Sequence, residues 1–223
     1  MLCLKCNEKI PIIYEDKDII VIDKPSGLLS IGTEKEKKHT AYNMIREYLI
    51  NQDKNSKVFV IHRLDKDTSG VIMYAKSETV KNMYQNNWSK SIINKEDIAV
   101  VSGKVKDEKK VIKSYLKENN EGIVYSSLKP NDGKLAITCY NKIKSNKRYT
   151  MLKINIKTGR KHQIRVHMKD IGYPIVGDKK YGKDLDPVKR LCLHASKLEV
   201  RNPKTKEIMV FEAKTPFLME ALL

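Results

Sequence analysis

The first regular signal along the chain is the stretch from Ile12 to Asp23, in which Ile19, Ile20, Val21 and Ile22 form an apolar block. It predicts a hairpin or a buried pair of strands, closed by the turn residues Lys24-Pro25-Ser26-Gly27. After a basic loop, Thr40 is placed to cap a helix. Its apolar positions Ala41, Met44, Ile45, Tyr48 and Leu49 recur at i, i+3, i+4, i+7 and i+8, the mark of an amphipathic stripe. Val58 to Ile61 is a second β-rich run and leads into His62-Arg63-Leu64-Asp65; a third, Val71 to Ala75, follows the turn chemistry of Asp67-Thr68-Ser69-Gly70. Ser77 is placed to cap a further helix with Val80, Met83, Tyr84 and Trp88 on one face, and strand character returns from Ile98 to Val101 before Gly103. Farther on, Leu152, Ile154 and Ile156 alternate with Lys153, Asn155 and Lys157, as in a strand with one buried and one wet face, and Thr158-Gly159 closes it. From Lys161 to Ile171 the spacing becomes helical, with Gly172 and Pro174 as stop signals, which would set Lys161, His162 and Arg165 on one turn.

Strand and helix signals thus interleave without a regular βαβ rhythm, which predicts an α+β class with a mainly antiparallel sheet and flanking helices. No repeat and no Pro/Gly/Ser linker divides the chain, so a single domain over 11–223 is expected behind a short N-terminal extension, 1–10. At 223 residues, with 40% hydrophobic and 32% charged positions, the chain can bury a core without staples, and wholesale disorder is excluded. Its apolar runs are far shorter than the ~20 residues a bilayer crossing needs, and Met1 opens onto no signal-peptide pattern, so the expected compartment is the cytoplasm. Of the four cysteines, Cys3 and Cys6 form a CxxC pair. With no second pair to complete a zinc ribbon, no metal site is expected.

Charge changes the picture more. The formal net charge of +17 suits a polyanionic partner, although a Lys-rich habit that merely solvates the surface would produce the same number. Only seven of the 44 basic residues are Arg, and three of these, Arg63, Arg160 and Arg165, fall inside two short motifs. A planar guanidinium meets carboxylate or phosphate two-pronged, which Lys cannot do. Asp65 sits at a strand-to-loop junction beside Arg63; alone it would read as an ordinary turn aspartate. The second motif, Thr158 to His167, crowds cations and amide donors at a helix start, where the dipole already favours an anion.

Together these stretches closely resemble the RluA-type pseudouridine synthase family, whose hallmark HRLD stands here as His62 to Asp65 within HRLDKDTSG. The blocks YEDKDIIVIDKPSGLL (14 to 29), TGRKHQIRVHM (158 to 168), GYPIVGDKKYG (172 to 182) and RLCLHASKLEV (190 to 200) are similar to that family's, in its order. The resemblance implies the pseudouridine synthase fold with a central RNA-binding cleft, and isomerisation of uridine to pseudouridine in ribosomal or transfer RNA without cofactor or metal. The S4-type RNA-binding domain often found in the family is not expected. The resemblance makes Asp65 the essential carboxylate, either attacking the sugar or base covalently or removing a sugar proton. It makes Arg165 the cation that orients and steadies that carboxylate. The target must be flipped from its stack, and the family's HRLD arginine, here Arg63, helps fill the vacated place. His62, Lys24, Lys76, Arg160, Lys161, His162 and Gln163 are then candidate RNA contacts, and His167 a packing or RNA-contact residue.

One position departs from the family. Lys-x-Tyr usually stands shortly before the glycine that corresponds to Gly103, and its tyrosine contacts the target base; here Lys95-Glu96-Asp97 occupies the register, so Asp97 takes the tyrosine's place. The loss of a stacking partner would cost about 1–3 kcal/mol. This motivates a second expectation, an RNA-binding module that keeps the fold without turnover. A metal-dependent nuclease built on Asp65, Asp67 and Asp178 is a remote third. The protein is expected to act as a monomer.

Overall fold

The computed structural model describes residues 10–34, 36–182 and 187–223; Cys3 and Cys6 lie outside the described residues. The elements in chain order are β1 (Ile12–Glu15), β2 (Ile19–Lys24), α1 (Ala41–Gln52), β3 (Phe59–Val60), β4 (Ser69–Ala75), α2 (Glu78–Asn86), α3 (Trp88–Ser91), β5 (Ile92–Ser102), β6 (Lys109–Glu118), β7 (Val124–Ser127), β8 (Lys134–Ser145), β9 (Tyr149–Ile156), α4 (Gln163–Asp170), β10 (Leu193–Arg201), β11 (Ile208–Glu212) and α5 (Phe217–Glu220). Two compact units result. The first comprises the described residues up to Lys95 with Ala195–Lys214, the second Glu96–His194 with Thr215–Leu223. The divisions after Lys95 and His194 fall inside β5 and β10, which is why no flexible linker marks them in the sequence.

In the first unit β1, β2, β4 and β10 follow one another across the sheet, with β3 added to β4 and β11 to β10. β2 runs antiparallel to β4, from Ile19 opposite Ala75 to Lys24 opposite Gly70. The continuous apolar run of β2 is explained by burial on both faces. Ile19, Val21, Val71 and Met73 pack with Val80 and Tyr84 of α2 and with Leu198, Val200 and Phe211. Ile20, Ile22, Ile72 and Tyr74 pack with Ala41, Met44, Ile45 and Leu49 of α1. Both helix starts form as their caps predict: the Thr40 side chain accepts the Asn43 N–H and the Ser77 side chain accepts the Val80 N–H.

In the second unit β5, β9, β8, β6 and β7 form successive antiparallel ladders. One sheet face packs Tyr140, Leu152 and Ile154 with Ile164 and Met168 of α4. A smaller cluster joins Leu116, Val124 and Ala136 to Val166 and Tyr181. α4 begins later than its apolar spacing predicts. It starts at Gln163, and His162 caps it in the left-handed region with φ 53°. Lys161 and His162 therefore precede the helix instead of sharing its first turn with Arg165. Among the described residues no helix is long and apolar enough to cross a membrane.

Candidate active site

Asp65 lies in the loop between β3 and β4, in the first unit, and the main chain around it is held by a set of directed bonds. Ser30 grips Leu64 from both sides, its hydroxyl donating to the Leu64 carbonyl at 2.7 Å and accepting the Leu64 N–H at 3.1 Å. The Tyr74 hydroxyl in turn donates to the Ser30 carbonyl at 2.8 Å. Ser26 donates to the Asp67 carbonyl at 2.6 Å, and the Gly27 N–H to that of Lys66 at 3.0 Å. Lys24 is wholly buried, and its ammonium donates to the carbonyls of Pro25, Leu28 and Lys66 at 3.0, 2.7 and 2.9 Å. The far side of the loop closes on Gly70. A side chain there would lie 2.1 Å from the Ala195 carbonyl oxygen, and its φ of +114° admits little but glycine.

His62 anchors the entry to the loop. Its Nε2 accepts the Met73 N–H at 3.1 Å, which leaves the proton on Nδ1, and its ring lies 5.1 Å from that of Trp88. Burial first, and then the Lys95 charge, lower its pKa to about 3, so the ring is neutral at physiological pH. The buried Nδ1 has no hydrogen-bond partner among the described residues. Gln85 of α2 donates to the carbonyls of Val60 and Ile61 just upstream. The result is a fixed backbone carrying two outward side chains: Arg63, exposed, and Asp65, partly exposed. Within its own unit the Asp65 carboxylate makes no hydrogen bond or ion pair among the described residues.

The second motif builds a cluster of its own residues within the second unit. Arg165 donates from Nε and Nη2 to the two Asp178 oxygens at 2.8 and 2.7 Å, and the two side chains are 6% and 0% exposed. The guanidinium carbon lies 5.1 Å from the centre of the Tyr181 ring. Asp178 Oδ1 also accepts the backbone N–H groups of Lys180 and Tyr181. Burial alone would raise the Asp178 pKa, but the Arg165 hydrogen bond and charge, with those two amides, outweigh it and hold the carboxyl below the usual range. The Tyr181 hydroxyl accepts the Val124 N–H at 3.0 Å and lies 2.8 Å from His162 Nδ1. Gly177 makes this turn possible: its φ is +75°, and a side chain there would meet the Arg190 carbonyl at 1.8 Å. His167 is buried between Ser114 and Thr138, at 2.9 and 2.8 Å, and burial lowers its pKa to about 4, so it serves packing.

Several expected RNA contacts have other duties. Lys24 is turned inward and spends its ammonium on three carbonyls, so it staples loops instead of meeting phosphate. Lys76 pairs with Glu15 at 2.7 Å and follows the far end of β4 from Asp65, about 20 Å along the strand. Gln163 is buried; its oxygen accepts from Thr158 and from the Arg160 N–H, and its nitrogen donates to the Ile137 carbonyl and Thr138. It therefore locks the turn before α4. Lys161 is exposed and pairs with Glu118, and exposed Arg160 donates to the Leu135 carbonyl at 3.0 Å. Asp97 is 6% exposed, opposite Ile154 in the ladder between β5 and β9. The sequence pattern does not mark Asp178, Tyr181 and Ser30 for these positioning roles, although Asp178 and Tyr181 stand in the block GYPIVGDKKYG and Ser30 directly follows YEDKDIIVIDKPSGLL. With both its oxygens engaged by Arg165, Asp178 is not disposed as a metal ligand.

Residues 18–170 match the family model of RNA pseudouridylate synthase, a span that contains both Asp65 and Arg165. The RNA pseudouridine synthase YhcT of Bacillus subtilis is 31% identical over 216 residues, covering 96% of this chain and 71% of that protein. Ribosomal large subunit pseudouridine synthase C of Rickettsia bellii is 36% identical over 92% of this chain and 68% of its own length. tRNA pseudouridine synthase C of Haemophilus ducreyi is 31% identical over 92% of this chain and 90% of its own. Among solved structures, human RNA Pseudouridylate Synthase Domain Containing 4 shares the fold with a TM-score of 0.76 at 23% identity, covering 94% of this chain and 90% of that one. A loop that fixes the HRLD aspartate, a turn that fixes the arginine of the second motif, and these matches agree: the chain belongs to the RluA-type family of RNA pseudouridine synthases.

Proposed function

We propose that the protein isomerises uridine to pseudouridine in ribosomal or transfer RNA, with Asp65 as the carboxylate that acts on the target nucleotide. The observation that carries this reading is the state of that side chain. Its backbone is fixed through Leu64, Lys66 and Asp67, while its carboxylate is partly exposed and unengaged within its unit. A group held in place yet left unengaged by the described residues of its own unit is prepared for another partner. Arg63, two residues earlier and exposed on the same loop, takes in this reading the position that a flipped base leaves, an extrusion that costs a few kcal/mol. Arg165 is the cation of the reaction. Asp178 and Tyr181 set the plane of its guanidinium, so that it presents a fixed orientation to the chemistry. The charge of +17 supplies the attraction to a polyanion, and the names of relatives cover both ribosomal and transfer RNA.

A second reading rests on Asp97. A buried aspartate on β5, where family members carry a base-contacting tyrosine, favours a module that binds RNA without converting it. Carbodiimide primer-extension mapping of RNA from a strain lacking the protein separates the two. The first reading predicts at least one uridine that loses its modification signal and regains it with purified protein. Binding without any conversion, together with a gain of conversion on Asp97→Tyr, would establish the second.

A further inference from the structure

Along α1, Tyr42, Arg46 and Ile50 stand four residues apart and share one face of the helix. Beyond α1 the chain turns back through Lys54, Asn55, Ser56 and Lys57 into Val58 and Phe59. Between this returning segment and that helix face lies an open groove of about 610 Å³. Its lining holds three cations, Arg46, Lys54 and Lys57, and no carboxylate. All three side chains are exposed, and none makes an ion pair or side-chain hydrogen bond among the described residues. The adjacent Asp53, outside the lining, accepts the Asn55 N–H at 3.0 Å and offsets part of this charge, so three cations and one carboxylate leave the groove net positive. The floor is apolar, formed by Ile50, Val58 and the half-buried rings of Tyr42 and Phe59.

Three like charges around a concavity with no acid in its lining repel one another and focus a positive field into the groove, and a ligand with several negative charges relieves both. The volume falls within the ~300–1,000 Å³ typical of sites for small organic ligands, enough for one or two nucleotides. The groove stands at the end of β4 away from the reactive loop: Phe59 opens β3 opposite Ala75, and the six positions from it to Asp65 span at most about 20 Å of extended chain, a distance that about three nucleotides of an extended strand can bridge.

Building on the reading that the substrate is RNA, we propose that this groove is a second RNA-binding subsite, which takes one or two unpaired nucleotides about three or more positions along the strand from the target uridine. Arg46, Lys54 and Lys57 hold the phosphates, and the rings of Tyr42 and Phe59 support a base or ribose. The subsite contributes to binding of a longer strand and leaves the chemical step alone.

The test uses the full chain carrying Asp65→Asn, so that binding is read without turnover. The probes are a fluorescein-labelled oligouridine and a labelled uridine trinucleotide, followed by anisotropy over a salt series. The triple variant R46Q/K54Q/K57Q is expected to weaken oligouridine binding about tenfold and to reduce the slope of log K against log salt by about 2, because each lost contact to a single strand removes about 0.7. Trinucleotide binding is expected to be unchanged. A matched variant, K129Q/K144Q/K147Q, removes equal charge elsewhere and should have a much smaller effect. Equal losses in the two triples, or an unchanged slope, would overturn the proposal. Should the first triple fail to fold, photocrosslinking of 4-thiouridine-containing oligouridine to the unsubstituted chain decides: crosslinks at Tyr42 or Phe59 support the subsite, and their absence overturns it. Because these readouts need no turnover, groove binding by a protein that converts no uridine would sink the proposed function alone. Conversion with a groove indifferent to RNA would sink this inference alone.

Discussion

Lys24→Met removes the ammonium that ties three carbonyls together while keeping most of the side chain's length and apolar stem, so its effect isolates the charge. The bond to Leu28 is buried, and those to Pro25 and Lys66 are partly buried. Hydrogen bonds to a charged donor contribute about 1.5–3 kcal/mol each, but water can replace the donor at the two partly buried carbonyls. Counting the Leu28 bond in full and the others at a fraction gives a loss of about 3 kcal/mol. The Lys66 carbonyl adjoins Asp65, so the same change loosens the reactive loop. Urea denaturation should therefore show the stability loss, and single-turnover conversion should show a lower rate at saturating RNA with little change in KM. A phosphate contact would behave in the opposite way: stability unchanged, KM raised and the salt slope reduced by about 0.7–0.9. That second pattern would refute the assignment of Lys24 as a staple.

Arg165→Lys keeps the charge but gives up the two-pronged bond to Asp178, and should lower the conversion rate at least tenfold while leaving RNA affinity within about twofold, as titration of binding and turnover in parallel would show. Asp178→Asn should flatten the acid limb of the stability curve: a carboxyl held below its usual range contributes stability present above its unfolded value and lost as pH falls through its folded one, which denaturation at several pH values would register. His62 is a base shifted in the same downward direction, since its pKa falls from 6.5 unfolded to about 3 folded. Its contribution is intact above pH 6.5 and declines by about 1.4 kcal/mol per unit below it, so His62→Gln should reduce the acid sensitivity of unfolding between pH 6 and about 4. Gly70→Ala should cost more than about 3 kcal/mol, because the new methyl group meets the Ala195 carbonyl and the backbone angle is left-handed; a melting temperature within a few degrees of the parent would contradict the close approach.

The parts of this molecule written in local periodicity are legible in the sequence. The caps at Thr40 and Ser77, the stripe from Ala41 to Leu49 and the block from Ile19 to Ile22 all lie in the elements they predict. The start of α4 is not. Its turn depends on Gln163 reaching back to Thr158 and Arg160 and on His162 accepting a left-handed backbone, neither of which apolar spacing reports. The strands β6 to β8 gave little signal because their outward positions mix Lys109 and Lys113 with Val111, so the alternation of polar and apolar residues is blurred. Asp65 and Arg165 stood out through the motifs around them. The inward role of Lys24 did not, because one of its acceptors lies 42 residues away and is brought near only by the pairing of β2 with β4. For the same reason Asp178, 13 residues after Arg165, is not marked as its partner by local pattern: the turn at Gly177 brings the two together.

The central claim is that the Asp65 carboxylate performs the isomerisation, and the most direct measurement compares tritium release from 5-tritiated uridine RNA by the unsubstituted protein and by Asp65→Asn, with RNA affinity and unfolding free energy recorded for both. The account predicts that release disappears in the variant while affinity stays within about twofold and stability within about 0.5 kcal/mol, since the carboxylate has no partner in its own unit to lose. Release from the variant at the parent rate would contradict it.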